Sequence, residues 1–165
     1  MPDGLILRAA ATGDLAVIND IYNHYVRCST CTCQTEPEPL SGRRAWFDAH
    51  DAAHPVTVAE RDGVVLGWAA LSRYHVREGY RRTVENSVYV HHDAHRQGIG
   101  RALLADLIER ARVIGHHTIV ASISAEHAKS VVLHDKLGFE KVAHLREVGF
   151  KFGRFLDVVF MQRML

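Results

Sequence analysis

Residues 95–101 (HRQGIGR) constrain the fold more than any other segment, because they join a predicted strand directly to a predicted helix. The strand is Thr83–Val90, and the helix is Ile99–Ile114, whose apolar residues recur every three or four positions. Glycine lacks a Cβ, so a ligand can approach the main chain closely. The first turn of a helix presents unpaired N–H groups and partial positive charge. The segment therefore predicts a site for phosphate oxygens, to which Arg96 and Arg101 add charge.

Two other phosphate-binding motifs fit this glycine turn poorly. A Walker loop needs Gly-Lys followed by Ser or Thr, which is absent from the segment. A dinucleotide-binding fingerprint needs a further glycine and an early βαβ unit. A tight strand-to-helix turn that binds no ligand stays open as an alternative from these residues alone.

The rest of the chain reads as strands and helices placed around this turn. Further predicted strands are Leu5–Ala10, Val56–Glu60, Val64–Leu71, Thr118–Ile123, Phe139–Arg146 and Phe155–Met164. Further predicted helices are Asp14–Tyr25, Leu40–Ala52 and Ala128–Leu137, and Ser29–Pro39 is a predicted loop. Asp62-Gly63 between two β-rich runs indicates a hairpin. This order predicts one α/β (α+β) domain over residues 1–165, with helices on the faces of a sheet.

Composition narrows the class of protein. A chain of 165 residues with 47% hydrophobic content suits one domain with a real core. A net charge of +1 argues against a nucleic-acid partner. No apolar run approaches the roughly 20 residues that span a bilayer, and the first residues lack a signal-peptide pattern. We therefore expect a cytoplasmic protein with no nucleic acid and no membrane as partners.

Three cysteines, Cys28, Cys31 and Cys33, form a local cluster. Their odd number argues against a disulfide framework. With His24 their spacing faintly resembles a metal site, but no second ligand pair follows along the chain. We expect thiols that line a loop or pocket and no metal, and a metal-binding domain stays open as an alternative.

The chain resembles the GNAT superfamily of N-acetyltransferases, and within it the phosphinothricin and methionine sulfoximine acetyltransferases. The glycine turn is similar to their acetyl-CoA motif, with His95 departing from the usual Gln or Arg in the first position. Five further segments match the same subfamily. They are residues 22–25 (YNHY), 35–37 (TEP), 80–90 (YRRTVENSVYV), 133–139 (LHDKLGF) and 149–158 (GFKFGRFLDV). These matches occur in the right order and cover nearly the whole chain.

The resemblance implies a fold and a cosubstrate. The fold is a mixed, mostly antiparallel seven-stranded sheet, splayed in the middle and flanked by about four helices. The cosubstrate is acetyl-CoA, whose pantetheine arm lies between Thr83–Val90 and Thr118–Ile123 like an added strand. The residues implied to hold it are Val88, Tyr89, Val90, Arg96, Gln97, Gly98, Ile99, Gly100, Arg101 and His127.

The resemblance also implies two catalytic residues. Glu85 would accept a proton from the attacking amine, directly or as part of a relay, because a partly shielded carboxylate can have a raised pKa. Alternatively, Glu85 pairs with an arginine or only binds the substrate ammonium. His134 would protonate the leaving thiolate. The alternative for His134 is a histidine on a helix face, bonded to a backbone carbonyl.

Two segments are implied to border the substrate. The first segment precedes or begins the strand of Glu85 and contributes Arg77, Tyr80, Arg81 and Thr83. Arginine suits a substrate carboxylate because it binds carboxylates through paired hydrogen bonds. A solvated basic loop is the alternative. Cys33 and Gln34 lie in the other segment, where phosphinothricin-type enzymes tend to have an aromatic and a basic residue. This departure makes the wall smaller and less positive, and it disfavours phosphinothricin itself as the substrate.

Together these expectations predict an acetyl-CoA-dependent N-acetyltransferase that acts on the primary amine of a small amino acid or analogue. The resemblance further implies a homodimer, formed through the C-terminal strands. Two alternatives stay open. One is a protein or peptide N-acetyltransferase, which would need an open groove, and the other is a non-catalytic module that binds acetyl-CoA.

Overall fold

The computed structural model describes residues 2–165, and a seven-stranded sheet with helices on both faces runs through it. The strands are β1 (Ile6–Ala9), β2 (Val56–Arg61), β3 (Val64–Arg73), β4 (Thr83–Val90), β5 (Thr118–Ser124), β6 (Glu140–Lys151) and β7 (Arg154–Met164). The α-helices are α1 (Leu15–Cys28), α2 (Leu40–Asp48), α3 (Ile99–Ile114) and α4 (Ala128–Asp135). Within residues 2–165, no helix combines the length and apolar character needed to cross a membrane.

The sheet opens in its middle. Its strand order is β1-β2-β3-β4-β5-β7-β6, and every neighbouring pair is antiparallel except β4 and β5. The parallel β4–β5 ladder contains only the pairs of Thr83–Glu85 with Thr118–Val120. Beyond Glu85 the two strands no longer pair, whereas β4 continues against β3 as far as Val90. The predicted splayed, mostly antiparallel sheet is confirmed.

Two buried clusters fix the helices on the two faces of the sheet. The stripe of α3 that includes Leu103 and Leu107 packs with Val84 of β4. On the other face, Ile18 of α1 packs in a cluster with Trp68 of β3. Burying each such side chain contributes roughly 1.5–3 kcal/mol. Because successive strand residues point to opposite faces, β4 presents Val84 and Asn86 towards α3 and α4, and alternate residues towards α1 and α2.

The C-terminal hairpin differs most from its prediction. Strand β6 continues to Lys151, beyond the predicted end at Arg146. Its pairing with β7 shifts register between Leu145 and Gly149, and Glu147 has a positive φ of 54°. This bulge interrupts the alternation of side chains between the two faces of the strand. The sequence pattern that predicts a strand therefore ends where the bulge begins. By contrast, the predicted hairpin at Asp62-Gly63 is present, between β2 and β3.

Candidate active site

The glycine turn leaves its main-chain donors free. Gly98 precedes α3 in the left-handed conformation, with φ 78°, and Arg96 has φ 62°. In the described part of the chain, no protein acceptor takes a hydrogen bond from the amides of residues 97–101. The side chains of Arg96 and Arg101 are exposed. The turn therefore offers converging N–H groups and positive charge, which suit an anion.

Side chains of the turn are used to hold it in place. Gln97 Oε1 accepts a hydrogen bond from Arg61 Nη1 at 2.8 Å. His95 Nε2 lies 2.6 Å from the hydroxyl of Tyr25, which donates to the carbonyl of Val90. His95, the departure from the family motif, thus connects the turn to α1. These contacts leave the main chain, rather than the Gln97 side chain, as the feature available to a ligand.

Only some of the main-chain N–H and C=O groups of β4 are available to a ligand. His91 N donates to the carbonyl of Leu66, and bonded pairs alternate along an antiparallel ladder. Tyr89, two residues earlier, therefore directs its main chain towards β3. Val88 and Val90 direct theirs towards the gap, although the Val90 carbonyl is already taken by a tyrosine. Of the three residues implied to pair with a ligand, Val88 is the one best placed to do so.

Glu85 lies at the point where β4 and β5 diverge, and its side chain is half-buried. Burial raises the pKa of this carboxyl. Within residues 2–165 it forms no ion pair, so the alternative of pairing with an arginine is not seen. On the adjacent strand β3, Glu85 is paired with Ser72, whose hydroxyl lies 3.1 Å from His50 Nε2. The arrangement suits a carboxylate that accepts a proton more readily than an exposed glutamate does.

His134 is placed differently from its predicted role as a proton donor. It is only 4% exposed and lies on the face of β4 opposite to Glu85. Its Nδ1 donates to the carbonyl of Ser130 at 2.8 Å, and its Nε2 accepts from Asn86 Nδ2 at 3.0 Å. Burial lowers its pKa. With both ring nitrogens used, the neutral ring has no free N–H for a thiolate, and the alternative of a helix-face histidine describes its contacts better. Asn86 Oδ1 is buried without a partner in the described chain.

His127 stands at the start of α4, where a contact with coenzyme A was expected. Its Nε2 lies 3.1 Å from the hydroxyl of Thr30, which donates to Glu126. Glu126 in turn pairs with Arg154 at the turn of the last hairpin. Only Nδ1 of His127 is left without a partner among residues 2–165, so a contact with a ligand would have to use that atom.

The predicted substrate residues divide between two cavities. Arg77, Tyr80, Arg81 and Thr83 line a cavity of about 460 Å³ at the start of β4. Cys33 lines neither cavity, because it lies in the loop after α1 against Gly149 of β6. The expectation that Cys33 forms a substrate wall stays a prediction, and neither of these two cavities supports it. The loop folds so that its next residue, rather than the cysteine, faces inwards.

Gln34 lines the second cavity, which has a volume of about 160 Å³ on the α1 and α2 side of the sheet. The residues that surround it are Tyr22, Gln34, Glu38, Arg43, Trp46, Trp68, Ser87 and Tyr89. Arg43 and Trp46 were not among the residues predicted from the sequence. A signal was present, because Arg43, Trp46 and His50 follow each other at helical spacing in the predicted helix Leu40–Ala52. Arginine is seldom found on the buried face of a helix, so its presence there indicates a position with a specific role.

The cysteine cluster does not converge on a common point. All three cysteines are free thiols, and burial raises the pKa of Cys31. From Pro2 to Leu165, the ligating atoms that lie within 4.8 Å of one another belong to His91, His92 and Asp93 instead.

Comparisons with known proteins show the family of the chain. Residues 18–139 match the model of the acetyltransferase (GNAT) family. An L-methionine sulfoximine/L-methionine sulfone acetyltransferase from Pseudomonas paraeruginosa is 45% identical over 158 residues, 94% of this chain and 92% of that protein. Phosphinothricin N-acetyltransferase from Alcaligenes faecalis is 40% identical over 161 residues, 96% of this chain and 82% of that protein.

A solved structure shares the fold over almost its entire length. It is the structure of yncA from Salmonella typhimurium with its cofactor acetyl-CoA, at a TM-score of 0.95 and 41% identity. The match covers 99% of this chain and 95% of that chain. The resemblance inferred from the glycine turn and the separated motifs is thereby confirmed, and the chain belongs to the GNAT family of acetyltransferases.

Proposed function

We propose that this protein transfers the acetyl group of acetyl-CoA to the primary amine of a small amino acid or amino-acid analogue. One observation carries the proposal: free amides at the start of α3 and the half-buried Glu85 lie at the two ends of the same unpaired stretch of β4. The relatives that act on methionine sulfoximine, methionine sulfone and phosphinothricin support an amino-acid-like substrate.

The residues of the turn fit the diphosphate of coenzyme A. The main-chain N–H groups of Gln97, Gly98, Ile99, Gly100 and Arg101 would hold it, with charge from Arg96 and Arg101. The main chain of Val88 would hold the pantetheine arm as an added strand. When bound, acetyl-CoA supplies an acyl group activated as a thioester. His127 would add a hydrogen bond through Nδ1.

The chemical role falls to Glu85. An alkyl amine is mostly protonated near neutral pH, so one proton must leave before the nitrogen can attack. Glu85 accepts it directly or through a water molecule, and its raised pKa suits that task. A bond between carbon and nitrogen forms and the bond between carbon and sulfur breaks. The second proton that the nitrogen loses on becoming an amide neutralises the departing thiolate. Holding both reactants beside one strand removes much of the entropic barrier.

The cavity at the start of β4 would bind the carboxylate of the substrate. Arg77 and Arg81 line it with exposed guanidinium groups, and Tyr80 and Thr83 border them. Arginine suits a carboxylate because its planar fork donates two parallel hydrogen bonds. Thr83, which lines this cavity, lies two residues before Glu85 on the same face of β4.

We also propose a homodimer formed by the C-terminal hairpin, in the cytoplasm. Strand β6 is the last in the sheet order and has 12 residues along a free edge. It carries the exposed apolar side chains of Val142, Leu145, Val148 and Phe150. Such a patch favours association with a second copy, and sedimentation analysis would show one species of twice the chain mass. Free thiols suit a reducing compartment.

The test is release of free thiol from acetyl-CoA across a panel of amino acids, their analogues and short peptides. We expect turnover with small amino acids and none with peptides, because the cavity that Ser87 of β4 lines, about 160 Å³ in volume, is too small for a peptide. Binding of coenzyme A is measured in parallel by calorimetry. If coenzyme A binds but no amino acid is acetylated, the proposal is wrong, and turnover of peptides alone would identify a peptide acetyltransferase.

A further inference from the structure

Lys151, the last residue of β6, is a buried cation without an acidic partner. It is 2% exposed. Within residues 2–165 its ammonium donates to two main-chain carbonyls, that of Ser29 at 2.7 Å and that of Thr32 at 2.9 Å. The ring centre of Phe152 lies 5.0 Å from Nζ and adds a cation–π contact. Because buried charges are normally paired with opposite charges, these two carbonyls take the place that a carboxylate usually has.

The two carbonyls belong to the loop that joins α1 to α2, residues 29–39, which we call the α1–α2 loop. Between residues 30 and 38 no main-chain group bonds to another main-chain group of the described chain. Side chains therefore determine the shape of this loop. A single ammonium that binds carbonyls three positions apart holds residues 29–32 in a bend, and its loss would leave both carbonyls without that partner.

Thr32 connects this bend to the cavity of about 160 Å³. While its carbonyl accepts from Lys151, its hydroxyl lies 2.9 Å from that of Tyr22 and accepts from the main-chain N–H of Gln34 at 3.2 Å. Tyr22 also donates to Oε1 of Gln34 at 2.9 Å. Tyr22 and Gln34 both line the cavity. The position of Thr32 thus sets the position of one wall of the cavity.

A second contact holds the same loop but is weaker. The hydroxyl of Thr30 donates to Glu126 at 2.9 Å, and Glu126 pairs with Arg154 at the start of β7. The side chains of Glu126 and Arg154 are both exposed, and exposed ion pairs contribute little because water screens them. Lys151 is shielded from water, so its hydrogen bonds are the stronger anchor of the loop.

We propose that Lys151 is a positioning residue, which holds the α1–α2 loop so that Gln34 forms the wall of the amino-acid site. Lys151 lines neither cavity, so it acts on the substrate only through the loop. Ser87 lines the same cavity as Gln34 and follows Glu85 by two residues on the same face of β4. The inference rests on the proposed function and adds to it a residue of the C-terminal hairpin.

The first test is Lys151→Met, which keeps a long apolar side chain but removes the charge and the donors. Kinetics use the amino acid with the highest wild-type kcat/KM in the thiol-release panel, which includes methionine sulfone. We expect KM for this amino acid to rise on the order of tenfold, with kcat changed no more than a few-fold. The dissociation constant of coenzyme A should not change. Lys141→Met is the matched control, because Lys141 is exposed on the same strand and should alter none of these values.

A conservative variant and a measurement without turnover separate positioning from general stability. Lys151→Gln keeps an amide donor one carbon shorter and should give a KM between those of the wild type and Lys151→Met. Hydrogen exchange followed by NMR reports on the loop itself. The amides of Cys31 and Gln34, which donate to hydroxyls within the loop, should exchange at least about tenfold faster in Lys151→Met, and those of α1 at the wild-type rate.

Several results would contradict the inference. They are an unchanged KM in Lys151→Met, unchanged exchange in the loop, an equal increase in exchange throughout the protein, and unfolding of both Lys151 variants, which would make Lys151 a residue of stability alone. Failure of the wild type to acetylate any amino acid would instead reject the proposed function. Hydrogen exchange would still show in that case whether Lys151 holds the α1–α2 loop.

Discussion

Glu85 and His134 lie on opposite faces of β4, and they differ in how completely the protein satisfies their polar atoms. His134 uses both ring nitrogens in bonds to Ser130 and Asn86. Glu85 has a half-buried carboxylate and a pKa that burial raises. Within residues 2–165 the Glu85 side chain accepts no hydrogen bond and forms no ion pair, and because buried polar groups are normally paired, its free oxygens suit a ligand. We therefore propose that the reaction takes place on the Glu85 face and that His134 has a structural role.

The sharpest test of this difference is Glu85→Gln, which keeps the shape of the side chain but cannot take a proton. We expect kcat to fall about 100- to 10,000-fold, the usual contribution of a general base. The dissociation constant of coenzyme A should stay the same, because Glu85 is distant from the glycine turn. A loss of less than about tenfold in thiol release would show that Glu85 is not the base.

The proposed diphosphate site beyond the end of β4 can be tested by substituting two glycines at opposite ends of α3. Gly98 and Gly115 both have a positive φ, 78° and 93°, so an alanine at either costs roughly 1–2 kcal/mol. Only Gly98→Ala should also weaken binding of coenzyme A, by about tenfold, because only that turn faces the proposed diphosphate. Calorimetry with both variants separates the effects, and equal affinities would place the diphosphate elsewhere.

A substitution on the opposite face should affect stability rather than chemistry. His134→Leu removes two hydrogen bonds and leaves the Asn86 amide unpaired, which costs about 1–3 kcal/mol. For a chain of this size each kcal/mol lowers the Tm by about 2–4 °C. The kcat of the folded variant should change by no more than a few-fold. A loss of 100-fold or more would restore His134 as the proton donor to the thiolate.

The smallest expected effect concerns the stability of Glu85→Gln as pH changes. The folded state raises the pKa of Glu85, so between its ordinary and raised pKa the folded protein binds more protons than the unfolded chain. Stability contributed by Glu85 is therefore lost as pH rises through this window. At pH 7 Glu85→Gln should have the higher Tm, and this gain should vanish below the ordinary glutamate range. A gain that is independent of pH would contradict the raised pKa.

The pH dependence of the reaction follows from the same group. The base form of Glu85 is lost as pH falls through its raised pKa, so kcat should decrease on the acid side at a pH above the ordinary glutamate range. In whatever activity remains, Glu85→Gln should lack this acid-side decrease (the acid limb) of the pH profile of kcat. A profile that is the same in both proteins would assign the limb to another group.

The sequence by itself determined the elements, the glycine turn and the family. The helical stripe of α3, the glycines before it and the Asp62-Gly63 hairpin depend on residues close together in the chain, and local spacing is sufficient to predict them. Glu85 could be singled out because it lies in a matched segment beside that turn. The boundary of β6 could not be predicted, because a bulge broke the alternation on which the prediction depended.

Only the tertiary structure decided which side chains meet. Asn86 bonds to His134 across 48 positions of sequence, and this contact turns a predicted proton donor into a neutral, fully bonded ring. Arg43 shares a cavity with Trp68 because Trp46 of the same helix packs against that ring, whereas Cys33 is exposed in its loop. Such contacts depend on how distant elements pack, and no local pattern of residues encodes the partner of a buried polar group.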